Sequence, residues 1–265
     1  MRRLALVALA AAFLAGCEEN QVIESYDEYE EVTLVESFLL AGARYSGVRI
    51  TRTLPFGAPL DSAAAVEDAE PYLVLDGGKT IPLHHRGDGH YTPLQSVRIE
   101  SGMTCELLAR RNGKLIYART LVPEAPKIAK AEYNPDGYLV ATFDPSDEFA
   151  YAAVWAYVND EGEAIRLGEN FYDVYRPRTD EERRALTVRT ETVPSEYRAA
   201  GVLPYIGVTA YAFDPAYEAY FASARNHSLV ADAYTQGGGA VEWNVVGENA
   251  AGVFIGYAVA KPEKP

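Results

Sequence analysis

Apolar and polar residues alternate one by one along much of this chain, and this period of two is the feature that most limits its fold. In SGVRITRTL, Val48 and Ile50 alternate with Arg49, which is typical of a strand with one buried face. Asn112-Gly113 lies between two such runs, and both residues tolerate the positive φ of a type I′ turn, so the pair predicts a hairpin. Turn signals at a spacing of about 8–12 residues are typical of antiparallel sandwiches.

The proline-rich segment LVPEAPKI at 121–128 interrupts this alternation. Prolines between two periodic regions indicate a connection rather than a strand, so we place a domain boundary there. The fold class that follows is mainly β, with two antiparallel β-sandwich domains of the immunoglobulin or fibronectin-III type. The sequence predicts the first over residues 32–122 and the second, with short helical insertions, over residues 127–265.

Two helix signals occur in the second predicted domain. Thr179 and Glu182 have the spacing of a capping box, which predicts a short helix over 180–186. Asp214 followed by Pro215 is a typical helix start. The apolar residues that follow at helical spacing, and that we expect to pack on a sheet, are Tyr217, Tyr220, Phe221 and Ala224.

The N-terminus resembles an export signal. Arg2 and Arg3 precede an apolar run over 4–15, which is shorter than the roughly 20 residues that a membrane-spanning helix needs and is typical of a signal-peptide h-region. The run ends in Leu-Ala-Gly-Cys, which resembles the lipobox of bacterial lipoproteins, where the cysteine thiol takes a diacylglyceryl group. The resemblance predicts a signal peptide over 1–16 and lipidation of Cys17; the alternative is a plain signal peptide with an incidental cysteine.

The net negative charge of the chain limits the kinds of molecule that it can bind. Residues 18–31 contain seven acidic and no basic residues, so we interpret 17–31 as a solvated acidic tether. The formal net charge of −14 disfavours nucleic acid, which is bound through Lys and Arg, and also disfavours unassisted binding to anionic headgroups. We therefore expect acyl chains on Cys17, palmitate among them, to anchor the protein to the membrane. The only other cysteine, Cys105, is expected to be a buried thiol.

A histidine cluster occurs in LHHRGDGHY, which contains His84, His85, Asp88 and His90. Imidazole and carboxylate groups are good zinc ligands, so His85, Asp88 and His90 form a candidate metal site, and a metal-dependent hydrolase is the least favoured function. Adjacent residues on a strand point to opposite faces, and Asp88-Gly89 is what a tight turn requires by itself. We therefore favour an ordinary polar hairpin and expect no cofactor.

Aromatic residues supply the remaining clue to function. The chain has 19 Tyr and 2 Trp, and tyrosines are expected mainly on half-buried strands. Trp243 lies in a glycine-flanked loop and is the residue that we expect to contact a ligand, a glycan or a peptide. The sequence lacks G-x-S-x-G, P-loop and H-E-x-x-H motifs, so we do not expect an enzyme.

Several of these features together resemble a known family. The lipobox and acidic tether are followed by an RTLPF-like strand, a DGG hairpin, a D-G-H-Y strand start and a VP linker, and the chain finishes with NVVGENAAGVFIGYA. This pattern resembles the Bacteroidota-type outer-membrane lipoproteins designated domain of unknown function 4249. The matching positions of the finishing motif are Asn244, Gly247, Gly252, Phe254 and Gly256.

The resemblance implies a lipoprotein of two β-sandwiches, often associated with a TonB-dependent outer-membrane receptor. We therefore expect a lipid-anchored binding or accessory module of the cell envelope. The alternative is a surface lipoprotein that captures a glycan or peptide directly. Glu18 and Glu19 resemble a surface-export signal, so the cell surface is favoured over the periplasmic face of the outer membrane.

Overall fold

The structure is a computed structural model that describes residues 29–55, 64–199, 201–228 and 241–265. The protein is mainly β, with 47% of its residues in strands and 8% in helix. Residues 31–265 form one compact unit. No helix of the described part has the length and apolar character needed to span a membrane. The predicted signal peptide, the lipidation site and most of the acidic tether lie outside the described residues.

Fifteen strands and one α-helix make up the described part. The strands of its first half are β1 (Thr33–Leu40), β2 (Val48–Arg52), β3 (Glu70–Leu75), β4 (Lys79–Gly87), β5 (His90–Pro93), β6 (Thr104–Arg111) and β7 (Lys114–Leu121). The later elements are β8 (Lys130–Tyr133), β9 (Leu139–Phe143), β10 (Ala150–Val158), β11 (Ala164–Leu167), β12 (Leu186–Arg189), β13 (Ile206–Phe213), α1 (Ala216–Ser228), β14 (Val245–Gly247) and β15 (Ala250–Val259). Single 3-10 turns occur at Ser195–Tyr197 and Leu203–Tyr205.

Twelve strands form one mixed sheet in the order β11-β10-β13-β15-β1-β2-β5-β4-β3-β6-β7-β14, and β12-β9-β8 form a small second sheet. The pair β1 and β15 runs parallel, with Thr33 opposite Ala250 and Leu40 opposite Tyr257. The expectation of purely antiparallel pairing was therefore wrong at this pair. Parallel neighbours need a long crossover connection. Here nearly the whole chain lies between the two strands, so no local sequence pattern predicts that they pair.

The local strand predictions are confirmed. Val48 and Ile50 are buried while Arg49 is exposed. The hairpin of β6 and β7 turns at Asn112-Gly113, whose φ angles are 49° and 77°. Positive φ at both residues is the geometry of a type I′ turn, which matches the right-handed twist of the flanking strands.

One predicted helix is confirmed and the other is wrong. Helix α1 begins two residues after Asp214, whose Oδ1 accepts a hydrogen bond from the Ala216 backbone N–H at 2.9 Å. The Thr179–Glu182 capping box also forms, with the Glu182 N–H donating to the Thr179 hydroxyl at 3.2 Å. Its bonds nevertheless close only a turn over 180–184, because the chain continues directly into β12, whose first residue, Leu186, is buried in the core.

Three clusters of buried side chains form the core. The first collects side chains from β1, β2 and β5 and from β3, β6 and β7, and the second is formed from residues between Leu139 and Ala260. The third lies under α1. Strand β15 contributes Phe254 to the first cluster and Val253 and Ile255 to the third. The domain boundary at 121–128 stays a prediction, and the shared strand β15 ties the parts on its two sides together.

Candidate functional site

A groove beside Trp243 combines the predicted contact residue with a floor of mixed apolar and charged residues. Its volume is about 680 Å³. Strands β1 and β2 form its floor, while α1 and the segment before β14 contribute its wall. We call it the Trp243 groove and define it by its main side chains, which are Leu34, Glu36, Arg49, Thr51, Tyr220 and Trp243.

The floor follows from strand alternation. In β1, Val35 and Ser37 are buried in the protein while Leu34 and Glu36 face outward. The direct partner of Glu36 on β2 is Arg49, which is also exposed. Residues opposite each other on paired strands share a face. The pairing of β1 with β2 therefore places the charges of Glu36 and Arg49 on the same exposed face of the sheet.

The wall depends on how α1 is held. Asp214 is buried, and its Oδ2 accepts hydrogen bonds from the Thr120 hydroxyl at 3.0 Å and from the Leu121 backbone N–H at 2.9 Å. The Thr120 hydroxyl oxygen in turn accepts from the Gly256 N–H at 2.7 Å. We call these hydrogen bonds among Asp214, Thr120, Leu121 and Gly256 the polar knot. It attaches the start of α1 to the end of β7 and to β15, and so fixes the position of Tyr220 in the groove.

Trp243 is exposed although both of its neighbours are fastened. The Glu242 N–H donates to the Ser223 hydroxyl of α1 at 2.8 Å. The Asn244 amide donates to the Phe254 carbonyl at 2.7 Å and accepts from the Phe254 N–H at 2.8 Å. Trp243 as a whole residue is 43% exposed. It is therefore presented by a backbone held on both sides, which lowers the conformational entropy lost when a ligand binds.

The two aromatic rings of the wall lie close to each other. The centroids of Trp243 and Tyr220 are 5.6 Å apart with an interplanar angle of 37°. Burial, followed by the nearby Glu36 carboxylate, raises the pKa of the Tyr220 phenol above its usual value. The phenol therefore stays protonated at neutral pH and keeps an O–H donor beside an apolar ring.

The groove also contains a cation, Arg49, that is unpaired in the described part of the chain, although the protein as a whole is acidic; the neighbouring arginine, Arg52, is already paired. Arg52 is held by Glu31 at 2.9 Å, and Glu31 also contacts Arg111 at 2.7 Å. Burial would raise the pKa of Glu31, but hydrogen bonds from Arg111 and Arg52 hold it below its usual value, so this carboxylate stays charged. Within the described residues Arg49 has no ion pair, and its guanidinium is available to a ligand.

A second groove of about 640 Å³ lies around the predicted boundary, near 121–129 and 144–151. Its charged lining is mostly carboxylate, from Glu124, Asp144 and Glu148, with Lys127 as the one basic residue of that lining. It presents no exposed tryptophan. The Trp243 groove is the better candidate because it brings stacking surface, donors and acceptors together.

The histidine cluster lies on a hairpin whose turn is Asp88-Gly89, with φ angles of 50° and 72°. His85 is paired with Tyr91, and their rings are 5.2 Å apart. His90 is adjacent to Tyr91 on β5 and therefore points to the other face. The structure does not bring His85, Asp88 and His90 together, and no group of three or more ligating side chains in the described part is placed to hold a metal ion.

Cys105 is buried and free, as the alternation around it predicted. Burial, with a smaller contribution from Asp76, raises the pKa of its thiol to about 12. The thiolate, which is the reactive form, is therefore scarce at neutral pH. Cys105 is a core residue and not a nucleophile.

The sequence predicts Trp243 as a contact residue, and this stays a prediction; it does not indicate Tyr220 and Arg49 as residues of the same groove. The sequence pattern places Tyr220 on the helix stripe that packs on the sheet, and Arg49 on the solvent face of a strand. No signal in the sequence joins three residues this far apart. Comparison with protein-family models and with curated proteins finds no match for this chain, and the resemblance to the lipoprotein family stays a prediction.

Proposed function

We propose that this chain is a lipid-anchored cell-envelope protein that acts by binding, and that its Trp243 groove takes a segment of glycan or peptide. The observation that carries the proposal is the exposed Trp243 indole between two fastened neighbours, beside Tyr220 and above Arg49. Aromatic rings with polar tips stack on a ligand and hydrogen-bond it at the same time. Such an arrangement binds an extended polar ligand without any catalytic group.

The setting of this binding protein is proposed from the N-terminal sequence. The lipobox-like Leu-Ala-Gly-Cys supports attachment of Cys17 to the outer membrane, and the acidic tether over 17–31 would hold the body away from the bilayer. The same family resemblance supports association with a TonB-dependent receptor at the cell surface. In that setting the groove would serve either the receptor's ligand or a segment of the receptor.

The finer architecture is proposed to be two β-sandwiches joined through strand β15, which pairs with β1 on one side and with β13 on the other. The support is that side chains of β1, β2 and β5 meet those of β3, β6 and β7 in the first core cluster. The second cluster joins β9 and β12 of the small sheet to β10 and β13 of the large one. Two layers around each of two cores is the sandwich arrangement.

Ligand binding at the groove is tested with Trp243→Ala. We expect at least a tenfold loss of affinity, because a buried aromatic contact contributes about 2 kcal/mol or more at a binding hot spot. Calorimetric titration of a panel of glycans and peptides measures it. Tyr72→Ala, which removes another partly exposed ring on β3, is the matched control and should bind as the wild type does. Equal affinities for all three proteins would refute the assignment of the groove.

Receptor association is tested separately. Affinity purification of the protein from detergent-solubilised outer membranes should recover a β-barrel receptor. Trp243→Ala should reduce that recovery if the groove contacts the receptor, and leave it unchanged if the groove serves the ligand. Recovery of the lipoprotein alone would count against the accessory role while leaving direct capture in place.

Anchoring is tested at Cys17. Mass spectrometry of the exported protein should find a chain that begins at Cys17 with a diacylglyceryl thioether and an acylated amine. Cys17→Ala should remove these groups and shift the protein from the membrane fraction, because more than one acyl chain is needed for stable attachment. An unmodified Cys17 thiol on a freely diffusing protein would overturn the membrane setting.

A further inference from the structure

Arg189, at the end of β12, is stacked between two tyrosine rings. Its guanidinium carbon lies 3.9 Å from the ring centroid of Tyr138 and 3.7 Å from that of Tyr172. Two rings this close to one carbon have no room on the same face of the guanidinium group, so we place them on its two opposite faces. Stacking on an aromatic face is favourable for a cation, and stacking on both faces leaves the planar group little freedom to turn.

The two rings come from separate parts of the chain, which explains why sequence analysis did not find the cluster. Strand β12 pairs with β9 so that Arg189 lies opposite Val140, and Tyr138 precedes Val140 by two residues on the same face. Tyr172 comes from the segment after β11, and that segment is held by the backbone bridge of Tyr175 with Tyr151. Tyr138 thus directly precedes a paired strand, and Tyr172 lies in a bend three residues before a backbone bridge.

The edge of the guanidinium remains open. The Arg189 Nε–H reaches the Thr190 carbonyl at a long 3.5 Å, and no carboxylate in the described residues forms an ion pair with Arg189. A pocket of about 310 Å³ adjoins it, lined also by Tyr175, Thr187 and Asp173. With its faces covered, the group can offer only its in-plane N–H donors, in the fork geometry that matches carboxylate and phosphate.

We propose that Arg189 with Tyr138 and Tyr172 forms a second binding site, distinct from the Trp243 groove, for a ligand that carries a carboxylate or a phosphate. The stacked rings orient the guanidinium, and the in-plane N–H groups bind two oxygens of the ligand at once. Asp173 is the one acidic residue of the pocket lining. Its charge opposes the anion and selects ligands that carry a hydrogen-bond donor beside their oxyanion.

The probes are acetate and inorganic phosphate, added separately at constant ionic strength to the full-length protein in a neutral detergent. The signal of the Arg189 Nε–H group in nitrogen-proton NMR spectra reports the binding. We expect a saturable shift with at least one of the two anions. Acetate alone would identify a carboxylate site, and phosphate alone a phosphate site. Absence of saturation with both anions overturns the proposal.

Two variants separate a binding role from a structural one. Arg189→Lys keeps the charge but loses the planar fork, and should weaken binding at least fivefold. Because this variant lacks the Nε–H reporter, its affinity and that of the wild type are compared through the backbone N–H signals of Thr187 and Val188, which line the pocket. Asp173→Asn removes the opposing charge and should strengthen binding, a change that a purely structural stack does not predict. The control is Arg166→Ala, since Arg166 lies over a single ring, that of Tyr197, and already donates to its hydroxyl at 3.1 Å. Equal affinities in Arg189→Lys and the wild type would overturn the proposal.

Discussion

Asp214→Ala is expected to lower the free energy of unfolding by about 4 kcal/mol. Hydrogen bonds to a charged group contribute about 1.5–3 kcal/mol each, and loss of a helix cap costs about 1 kcal/mol. The buried carboxylate accepts bonds from Thr120, Leu121 and Ala216. Its removal leaves those donors without their acceptor at the junction of β7, β15 and α1.

Denaturant unfolding followed by circular dichroism measures this effect. Asp214→Asn keeps the shape of the side chain and one acceptor oxygen, and should lie between the alanine variant and the wild type. The control is Asp144→Ala, an exposed acid in the connection after β9, with an expected change within about 0.5 kcal/mol. A loss below 1 kcal/mol for Asp214→Ala would show that the knot does not hold α1. The same variant should weaken ligand binding, because Tyr220 stands on α1.

Gly252→Ala is expected to cost about 4 kcal/mol or to prevent folding. Gly252 has a φ of +139°, where side chains are strained, and a Cβ at this position would lie 1.9 Å from the Val35 carbonyl oxygen. That oxygen belongs to the backbone of β1, the parallel partner of β15, so neither atom can move without breaking the central pairing. Both the strain and the overlap add to the loss.

A matched variant separates strain from overlap. Gly162 also has positive φ, +80°, but its surroundings leave a Cβ free of contacts within 4 Å. Gly162→Ala should therefore cost only about 1–2 kcal/mol, the penalty for the left-handed backbone alone. Thermal unfolding of the two variants and the wild type gives the comparison. Similar losses for both would mean that β1 and β15 yield easily, which would contradict a rigid parallel pair at the centre of the sheet.

Two residues of the finishing motif make close backbone contacts at β15. The Asn244 side chain bonds both backbone groups of Phe254, which is fully buried. At Gly256 a Cβ would lie 2.9 Å from the Leu121 carbonyl oxygen. These contacts fix the backbone next to Trp243 to β15.

Local order was predictable from the residues alone. Alternation at Val48 and Ile50, the Asn112-Gly113 turn and the Asp214 cap each depend on neighbours within a few positions, and each is confirmed. The burial of Cys105 follows in the same way. The period of side chains along a strand decides which face is apolar, and no distant contact is needed to establish it.

The assembly of distant segments was decided only by tertiary structure. The parallel pairing of β1 with β15, the reduction of 180–186 to a turn, and the separation of His85 from His90 across two faces depend on partners that no local pattern specifies. The positions of Tyr220 and Arg49 beside Trp243 also depend on distant partners. So does the stacking of two tyrosine rings on Arg189. The period of apolar residues determines which face of a strand is buried. Which strands pair with each other depends on how the whole core packs, because alternative contacts between residues distant in sequence compete.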